Sequence, residues 1–118
     1  MRPSADEGNG LDGPVTGLDV RVVERPPDAV LIEVSGELDL LTVPEFAACV
    51  DRVVARRRRV VLDLDKVGFC GAAGVRELVR ASAAAREAGA GLLVAGASPV
   101  VHRVVDLCGA DAALTWAE

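Results

Sequence analysis

A cysteine and an arginine separated by five residues, Cys70 and Arg76, are the side chains of this chain best spaced for chemistry. They follow an apolar run typical of a strand and open a pattern typical of a helix. In that setting the loop amides and the helix dipole hold an oxyanion and lower the thiol pKa, and the arginine clamps the oxygens. The chemistry that this spacing indicates is attack by a thiolate on an oxyanion.

Two neighbouring residues weaken this interpretation. Glu77 follows the arginine where cysteine-dependent phosphatases carry Ser or Thr, and Phe69 precedes the cysteine where they often carry His. A fixed spacing of two residue types also arises often by chance. A phosphatase-like or arsenate-reductase-like enzyme using Cys70 and Arg76 is therefore the alternative from another class. The simpler interpretation of Cys70 is a small buried apolar side chain.

The remaining cysteines and the single histidine add no further chemistry. Cys49 and Cys108 fall on apolar faces of predicted helices, so we expect both in the core. Three widely spaced cysteines with one histidine, His102, indicate neither a disulfide framework nor a zinc site. We expect no metal and no cofactor.

Composition indicates one acidic globular domain. The 118 residues are 51% hydrophobic with a formal net charge of −5, and a chain of this length builds one core without metal or disulfides. The acidic balance and the 3% aromatic content argue against nucleic-acid binding, so Arg56–Arg59 is expected to be a solvated helix end. Without a long apolar run or a signal-peptide pattern, the sequence predicts a cytoplasmic protein with no membrane insertion.

Periodicity divides the chain into a tail and a folded domain. Residues 1–17 carry Gly and Pro without apolar periodicity and are expected to be a disordered tail, leaving 18–118 as the domain. A helix is expected to begin at Thr42, whose hydroxyl would cap it while Glu45 completes a capping box. The order of patterns is β-β-α-β-α-β-α, which predicts a single α/β domain with a mixed sheet and helices packed against it.

Three loops stand where function collects in such folds, beyond the carboxyl ends of strands. They are Gly36–Leu41, Lys66–Ala73 and Gly96–Ser98. The first strand pattern, Leu18–Val23, is expected at a sheet edge, where pairing with another chain or cover by the tail are both open. The oligomeric state is therefore not predicted.

Read together, these loops resemble the STAS family, the sulfate transporter and anti-sigma factor antagonist domain, and especially its small bacterial anti-sigma factor antagonists. The likeness runs from about residue 18 to residue 116. It rests on the order and spacing of Gly36-Glu37-Leu38-Asp39 followed by Thr42 and Pro44, the strand Val61–Leu64, Val67-Gly68-Phe69 followed by Gly74, and Ser98–Val101 leading to Leu107-Cys108-Gly109.

The chain departs from the family at the phosphorylation motif. Relatives usually carry Asp-Ser-Ser-Gly or Asp-Ser-Thr-Gly there, and a partner kinase phosphorylates the second hydroxyl residue. Here the segment is Gly71-Ala72-Ala73-Gly74, so the matching position, Ala73, has no hydroxyl. A phosphate adds charge and bulk to the surface that a partner would cover, and an alanine leaves that surface permanently unmodified.

The resemblance implies a non-enzymatic regulator that binds a protein partner, namely an anti-sigma factor with a histidine-kinase-like ATPase fold. Without the phosphorylatable residue it would bind constitutively or have diverged. A STAS scaffold or a transporter-associated subunit is the alternative within the same class. The expected partner-binding residues are Glu37, Asp39, Gly71, Ala72, Ala73, Gly74 and Val75.

Overall fold

The structure, a computed structural model, describes residues 17–117. The predicted tail over residues 1–17 lies outside the described residues, apart from Gly17. The elements follow in the predicted order: β1 (Leu18–Arg25), β2 (Ala29–Leu38), α1 (Val43–Ala55), β3 (Arg59–Cys70), α2 (Ala72–Glu87), β4 (Leu92–Ala97), α3 (Pro99–Leu107) and a short 3₁₀ turn (Asp111–Ala113).

The four strands form one mixed sheet in the order β1-β2-β3-β4. β1 and β2 form an antiparallel hairpin, and β3 and β4 each add in parallel. Each parallel addition requires a crossover, which α1 and α2 supply. The predicted α/β fold with a mixed sheet is confirmed.

The helices cover one face of the sheet. Buried residues of all three helices form a single apolar cluster with alternate residues of the strands, such as Val30, Ile32 and Val34 of β2. Glu33 and Ser35 alternate with them and lie half-exposed on the opposite face, as the period of a strand requires, whereas Leu31 on that face is buried. Between residues 17 and 117, none of the helices is long and apolar enough to cross a bilayer.

The strands extend further toward the predicted loops than the sequence indicated. β2 includes Gly36–Leu38 and β3 runs to Cys70, because the parallel ladder continues through two register shifts to pair Leu38 with Cys70. Only Gly71 then separates β3 from α2. Of the third predicted loop, Gly96 and Ala97 belong to β4. The three loops are therefore shorter than predicted, because Gly36–Leu38 and Lys66–Cys70 also belong to the sheet.

The predicted capping box at α1 is wrong. The hydroxyl of Thr42 donates to the carbonyl of Glu37 at 2.7 Å and accepts from the amide of Asp39 at 3.0 Å, so it caps no helical amide. One carboxylate oxygen of Asp39 accepts instead from the amides of Leu41 and Thr42, at 3.0 and 3.1 Å. The threonine is used to tie the turn back to β2, and the aspartate closes the turn.

Ser98 occupies the N-cap position of α3, and its side chain makes a contact with a distant strand. Its side chain is buried, and its hydroxyl donates to the carbonyl of Val67 at 2.6 Å rather than to the helix end. Its amide donates to the carbonyl of Leu64. The start of α3 is thereby fastened to β3 close to the point where β3 approaches α2.

Candidate functional site

The β2–α1 turn and the start of α2 lie side by side at the carboxyl ends of the two central strands, β2 and β3, which is called this edge of the sheet below. Leu38, the last residue of β2, pairs with Cys70, the last residue of β3. The amide of Gly71 then donates to the carbonyl of Leu38 at 3.0 Å. Backbone hydrogen bonds thus join the end of β2 to the start of α2, although these two segments lie some thirty residues apart in the chain.

Gly74 lets α2 approach this edge closely. A Cβ at Gly74 would lie 2.7 Å from the carbonyl oxygen of Leu38 and 3.1 Å from the sulfur of Cys70. No real side chain fits at such distances, so the first turn of α2 would have to move if any other residue stood here. The close backbone approach is enough to account for this glycine. A contact of Gly74 with a partner remains a prediction.

Ala72 and Ala73 form the first turn of α2, with Ala72 exposed and Ala73 half-buried. Backbone amides at a helix start lack partners within the helix, and the dipole favours negative charge there. The first turn carries no acidic residue, and Gly71 in the N-cap position offers no side-chain oxygen. The tip of α2 is therefore a small, uncharged surface.

Gly71 itself is not conformationally required. Its φ of −93° and ψ of 176° are extended values that any residue adopts. A Cβ here would meet only the ring of Phe69, at 3.6 Å, which is an ordinary contact. An aspartate at Gly71 therefore fits without displacing the backbone.

The two acidic residues predicted to contact a partner, Glu37 and Asp39, lie in different elements. Glu37 lies in β2, paired with Phe69, and is half-buried. Asp39 lies in the turn and uses one carboxylate oxygen to close it. The structure thus gives Asp39 a local structural role, and pairing of either acid with a partner remains a prediction.

Three exposed apolar side chains at this edge were missed by the sequence analysis. Leu40 is 73% exposed and Leu41 is 88% exposed in the β2–α1 turn, and Phe69 is 49% exposed at the end of β3. Large apolar side chains clustered in this way mark interaction surfaces. The available signal was the pair Leu40-Leu41, which fits neither strand alternation nor the face of α1.

A groove of about 610 Å³ runs from the tip of α2 along its flank. Its walls are mostly apolar, with two arginines, Arg76 and Arg80, from α2. The lining residues are Ala72, Val75, Arg76, Val79, Arg80, Cys108 and Ala110. The groove therefore connects the alanine tip with the region where α3 ends.

The geometry around Cys70 is unsuited to thiolate catalysis. The side chain is 2% exposed, and its thiol donates to the carbonyl of Gly71 at 3.6 Å. Burial, with a smaller contribution from Cys108, raises the pKa of the Cys70 thiol to about 11. A nucleophilic thiolate needs the opposite shift and an open loop around the oxyanion, whereas α2 begins two residues after Cys70.

The expectation for the other cysteines is confirmed at one position and wrong at the other. Cys49 is buried in α1, as predicted. Cys108 is exposed. It stands one residue past the end of α3 at Leu107 and lines the groove beside α2 instead of joining the core with Val101 and Val105. His102 is exposed and stacks on Trp116, with ring centroids 4.9 Å apart.

The raised pKa of Cys70 predicts a loss of stability in alkali. Between about pH 9 and pH 11 the unfolded chain releases this proton while the folded chain keeps it, so the free energy of unfolding falls as pH rises. We expect a loss of about 2 kcal/mol from this group across that window. Urea titrations at pH 8 and pH 10.5 measure it.

The matched variant for that experiment is Cys70→Ala. It loses packing at every pH, so the readout is the difference between the two pH values rather than either value alone. A smaller pH-dependent loss than in the wild type is expected, with the remainder including Cys49, whose pKa burial also raises. Equal pH dependence in both proteins would contradict the assignment.

Comparison with known proteins gives a consistent match. The family model described as "Mlab, STAS domain" matches residues 22–115. A crystal structure of an anti-sigma factor antagonist from Mycobacterium paratuberculosis has a TM-score of 0.70 and 28% identity, with 84% of each chain covered. No match was found among curated proteins.

Two further structures are similar in fold at lower identity. The unphosphorylated form of the anti-sigma factor antagonist SpoIIAA has a TM-score of 0.69 at 16% identity, covering 85% of this chain and 89% of that one. A STAS domain protein from Planctomyces limnophilus has a TM-score of 0.63 at 22% identity, covering 89% of this chain and 92% of that one. At these identities the likeness concerns the fold alone.

Proposed function

This chain belongs to the STAS family, and from that premise we propose that it is a non-enzymatic regulator that binds a protein partner, in the manner of an anti-sigma factor antagonist. The proposed partner is an anti-sigma factor with a histidine-kinase-like ATPase fold, which the family resemblance implies. The proposed setting is the cytoplasm. The proposed unit is one STAS domain over residues 18–118, preceded by a tail over residues 1–17.

The proposed docking surface centres on Gly71–Val75, of which Gly71, Ala72 and Ala73 are accessible and Gly74 and Val75 are buried beneath them. Glu37 and Asp39 lie beside it. Its support is the backbone contact between Gly71 and Leu38, which places both segments at one edge. The exposed Leu40, Leu41 and Phe69 supply apolar area there, and burial of apolar area stabilises complexes by roughly 25 cal/mol per Å² before the losses of association. The acids are candidates for pairing with partner Arg or Lys.

The observation that carries the proposal is Ala73 in the first turn of α2. A phosphoserine at such a position would present about two negative charges to an approaching partner. The methyl group of Ala73 accepts no phosphate, so docking at this surface is not interrupted by modification there. The protein is accordingly proposed to bind constitutively.

A second candidate in the same class is a STAS scaffold or transporter-associated subunit. The lack of a hydroxyl at Ala73 also favours it, because permanent docking suits a fixed subunit of a larger assembly. The two candidates share the surface and differ in the identity of the protein bound.

Capture from native lysate followed by mass spectrometry tests the proposal. Wild-type protein is expected to retain a protein that contains a histidine-kinase-like ATPase domain. Ala73→Glu is expected to lose it, because the carboxylate places charge and bulk at the tip of α2.

Ala88→Glu is the matched control, because it makes the same substitution at the other end of the same helix, also at a half-buried alanine. It is expected to retain the partner. Capture of a different protein would favour the scaffold candidate, and loss of binding in Ala88→Glu but not in Ala73→Glu would refute the docking surface.

A further inference from the structure

β1 is an edge strand of the sheet, on the side opposite β4, and its outer side pairs with no strand of the described residues. All eight residues of β1 pair with β2 in an uninterrupted antiparallel register, from Leu18–Gly36 to Arg25–Ala29. No described residue pairs with the other side of β1. Alternate backbone amides and carbonyls along this edge therefore lack partners within residues 17–117.

The other edge strand, β4, is partly covered by backbone hydrogen bonds from the end of the chain. The amide of Val94 in β4 donates to the carbonyl of Thr115, and the amide of Ala117 donates to the carbonyl of Val94, both at 2.8 Å. The last described residues thus cover part of β4. β1 has no such cover from the described residues.

β1 has only some of the features that usually prevent edge pairing. Natural edges are protected by bulges, prolines, charged side chains or charges that point inward. The β1–β2 ladder has no bulge and β1 contains no proline, although β1 carries four charged residues and Glu24 lies on the helix-covered face. The charges of β1 alternate in sign instead of repelling, since Asp19 and Arg21 stand two residues apart on the same face.

We propose that β1 pairs antiparallel with β1 of a second copy of this chain, about a two-fold axis through Val20. In this register Val20 faces its own counterpart, Leu18 faces Val22 and Asp19 faces Arg21. A two-fold axis perpendicular to the sheet keeps the helices of both copies on one face, so each side chain meets one from the same face. The result is a continuous eight-stranded sheet.

Charge and burial select this register over its neighbours. Shifting the axis to Arg21 places that arginine against itself. Shifting it to Val22 sets Asp19 against Arg25 but also places Val20 against Glu24, so an apolar side chain faces a carboxylate twice. The proposed register joins Asp19 to Arg21 twice without that mismatch and covers Val22, which is 49% exposed in the single chain. Directly opposed pairs of this kind stabilise strand pairing, and like charges weaken it.

Both charged residues are available for the contact. The side chain of Arg21 is 75% exposed and has only a loose ion pair, 3.6 Å from Glu33. Asp19 is exposed as well. The contact is short and small, so the dimer is expected to be weak, with a dissociation constant of about 10 to 500 µM.

Sedimentation equilibrium of the full chain tests the proposal at concentrations from about 1 µM to about 1 mM. The wild-type mass is expected to rise from that of one 12.2 kDa chain toward that of two. Asp19→Arg sets two arginines against each other and is expected to weaken the dimer at least about tenfold. Adding Arg21→Asp to it reverses both charges and is expected to restore the dimer.

Asp106→Arg is the control, because it makes the same charge change at an exposed position on α3. It is expected to dimerise like the wild type. A monomer at every concentration would overturn the proposal, and so would a dimer that Asp19→Arg leaves unchanged or that the double variant fails to restore. Circular dichroism of each variant confirms that the domain is folded.

Discussion

Replacing Arg80 by methionine is expected to lower the free energy of unfolding by about 3 kcal/mol, the loss typical of leaving one buried charge unpaired. The guanidinium of Arg80 donates two hydrogen bonds, both 2.7 Å long, to the carboxylate of Glu77, whose side chain is only 5% exposed. Those bonds raise the pKa of the Arg80 guanidinium further above its ordinary value, so Arg80 stays charged in ordinary buffers. Urea unfolding at neutral pH measures the loss.

The same guanidinium also reaches Asp51 on α1 at 3.0 Å, joining the two helices. Asp51 is 54% exposed, and exposed pairs contribute about 1 kcal/mol or less. Asp51→Asn is therefore the control and is expected to have a small effect. A loss in Arg80→Met no greater than that in Asp51→Asn would contradict the importance of the buried carboxylate.

A second variant separates the lost ion pair from lost packing. Replacing both partners, Glu77→Met with Arg80→Met, removes the buried charge along with its partner. Such replacements are often neutral or stabilising, so the double variant is expected to recover most of the loss. An additive loss would instead point to packing of the Arg80 side chain.

Much of the fold was predictable because the apolar pattern changes period at each element. Val60–Leu64 reads as a buried strand, and the stretch from Val75 to Ala85 follows a helical face. The ends of the two central strands were harder to predict, because β2 and β3 continue pairing through two register shifts. Such shifts depend on pairing between distant segments, which local periodicity does not encode.

The roles of single polar residues were the least predictable. Thr42 precedes a helix with Pro44 and Glu45, a pattern typical of a cap, yet its hydroxyl is drawn to the carbonyl of Glu37. Cys108 continues the apolar face of α3 but lies one residue past the end of the helix, where it lines an open groove and is not covered by the core. In both cases a contact or chain ending outside the local window decides the outcome.

The location of the candidate site could be predicted from the sequence, whereas its exposed apolar side chains and close backbone contacts could not. The family resemblance directed attention to Gly71–Gly74, and the structure places this segment at the start of α2, with Ala72 exposed and Gly74 buried. The exposed Leu40 and Leu41 were not predicted, because burial depends on how the β2–α1 turn leaves the sheet. The closeness of Gly74 to Leu38 similarly appears only once β2 and α2 are placed together.

Rebuilding the phosphorylation motif is expected to make docking switchable. The triple variant Gly71→Asp, Ala72→Ser and Ala73→Ser fits this backbone, since Gly71 has extended angles and room for a side chain. Once a cognate kinase phosphorylates residue 73, affinity for the partner is expected to fall at least about thirtyfold, or ~2 kcal/mol. Before phosphorylation the triple variant is expected to bind about as well as the wild type.

The claim that docking has no phosphorylation switch is tested most directly by calorimetric titration of the captured partner. Wild type and the triple variant are each titrated before and after incubation with ATP. A non-hydrolysable ATP analogue serves as the control for nucleotide effects on the partner itself. The wild-type dissociation constant is expected to be the same with ATP and with the analogue, while that of the triple variant rises only with ATP. A wild-type dissociation constant that rises with ATP alone would contradict constitutive docking through Ala73.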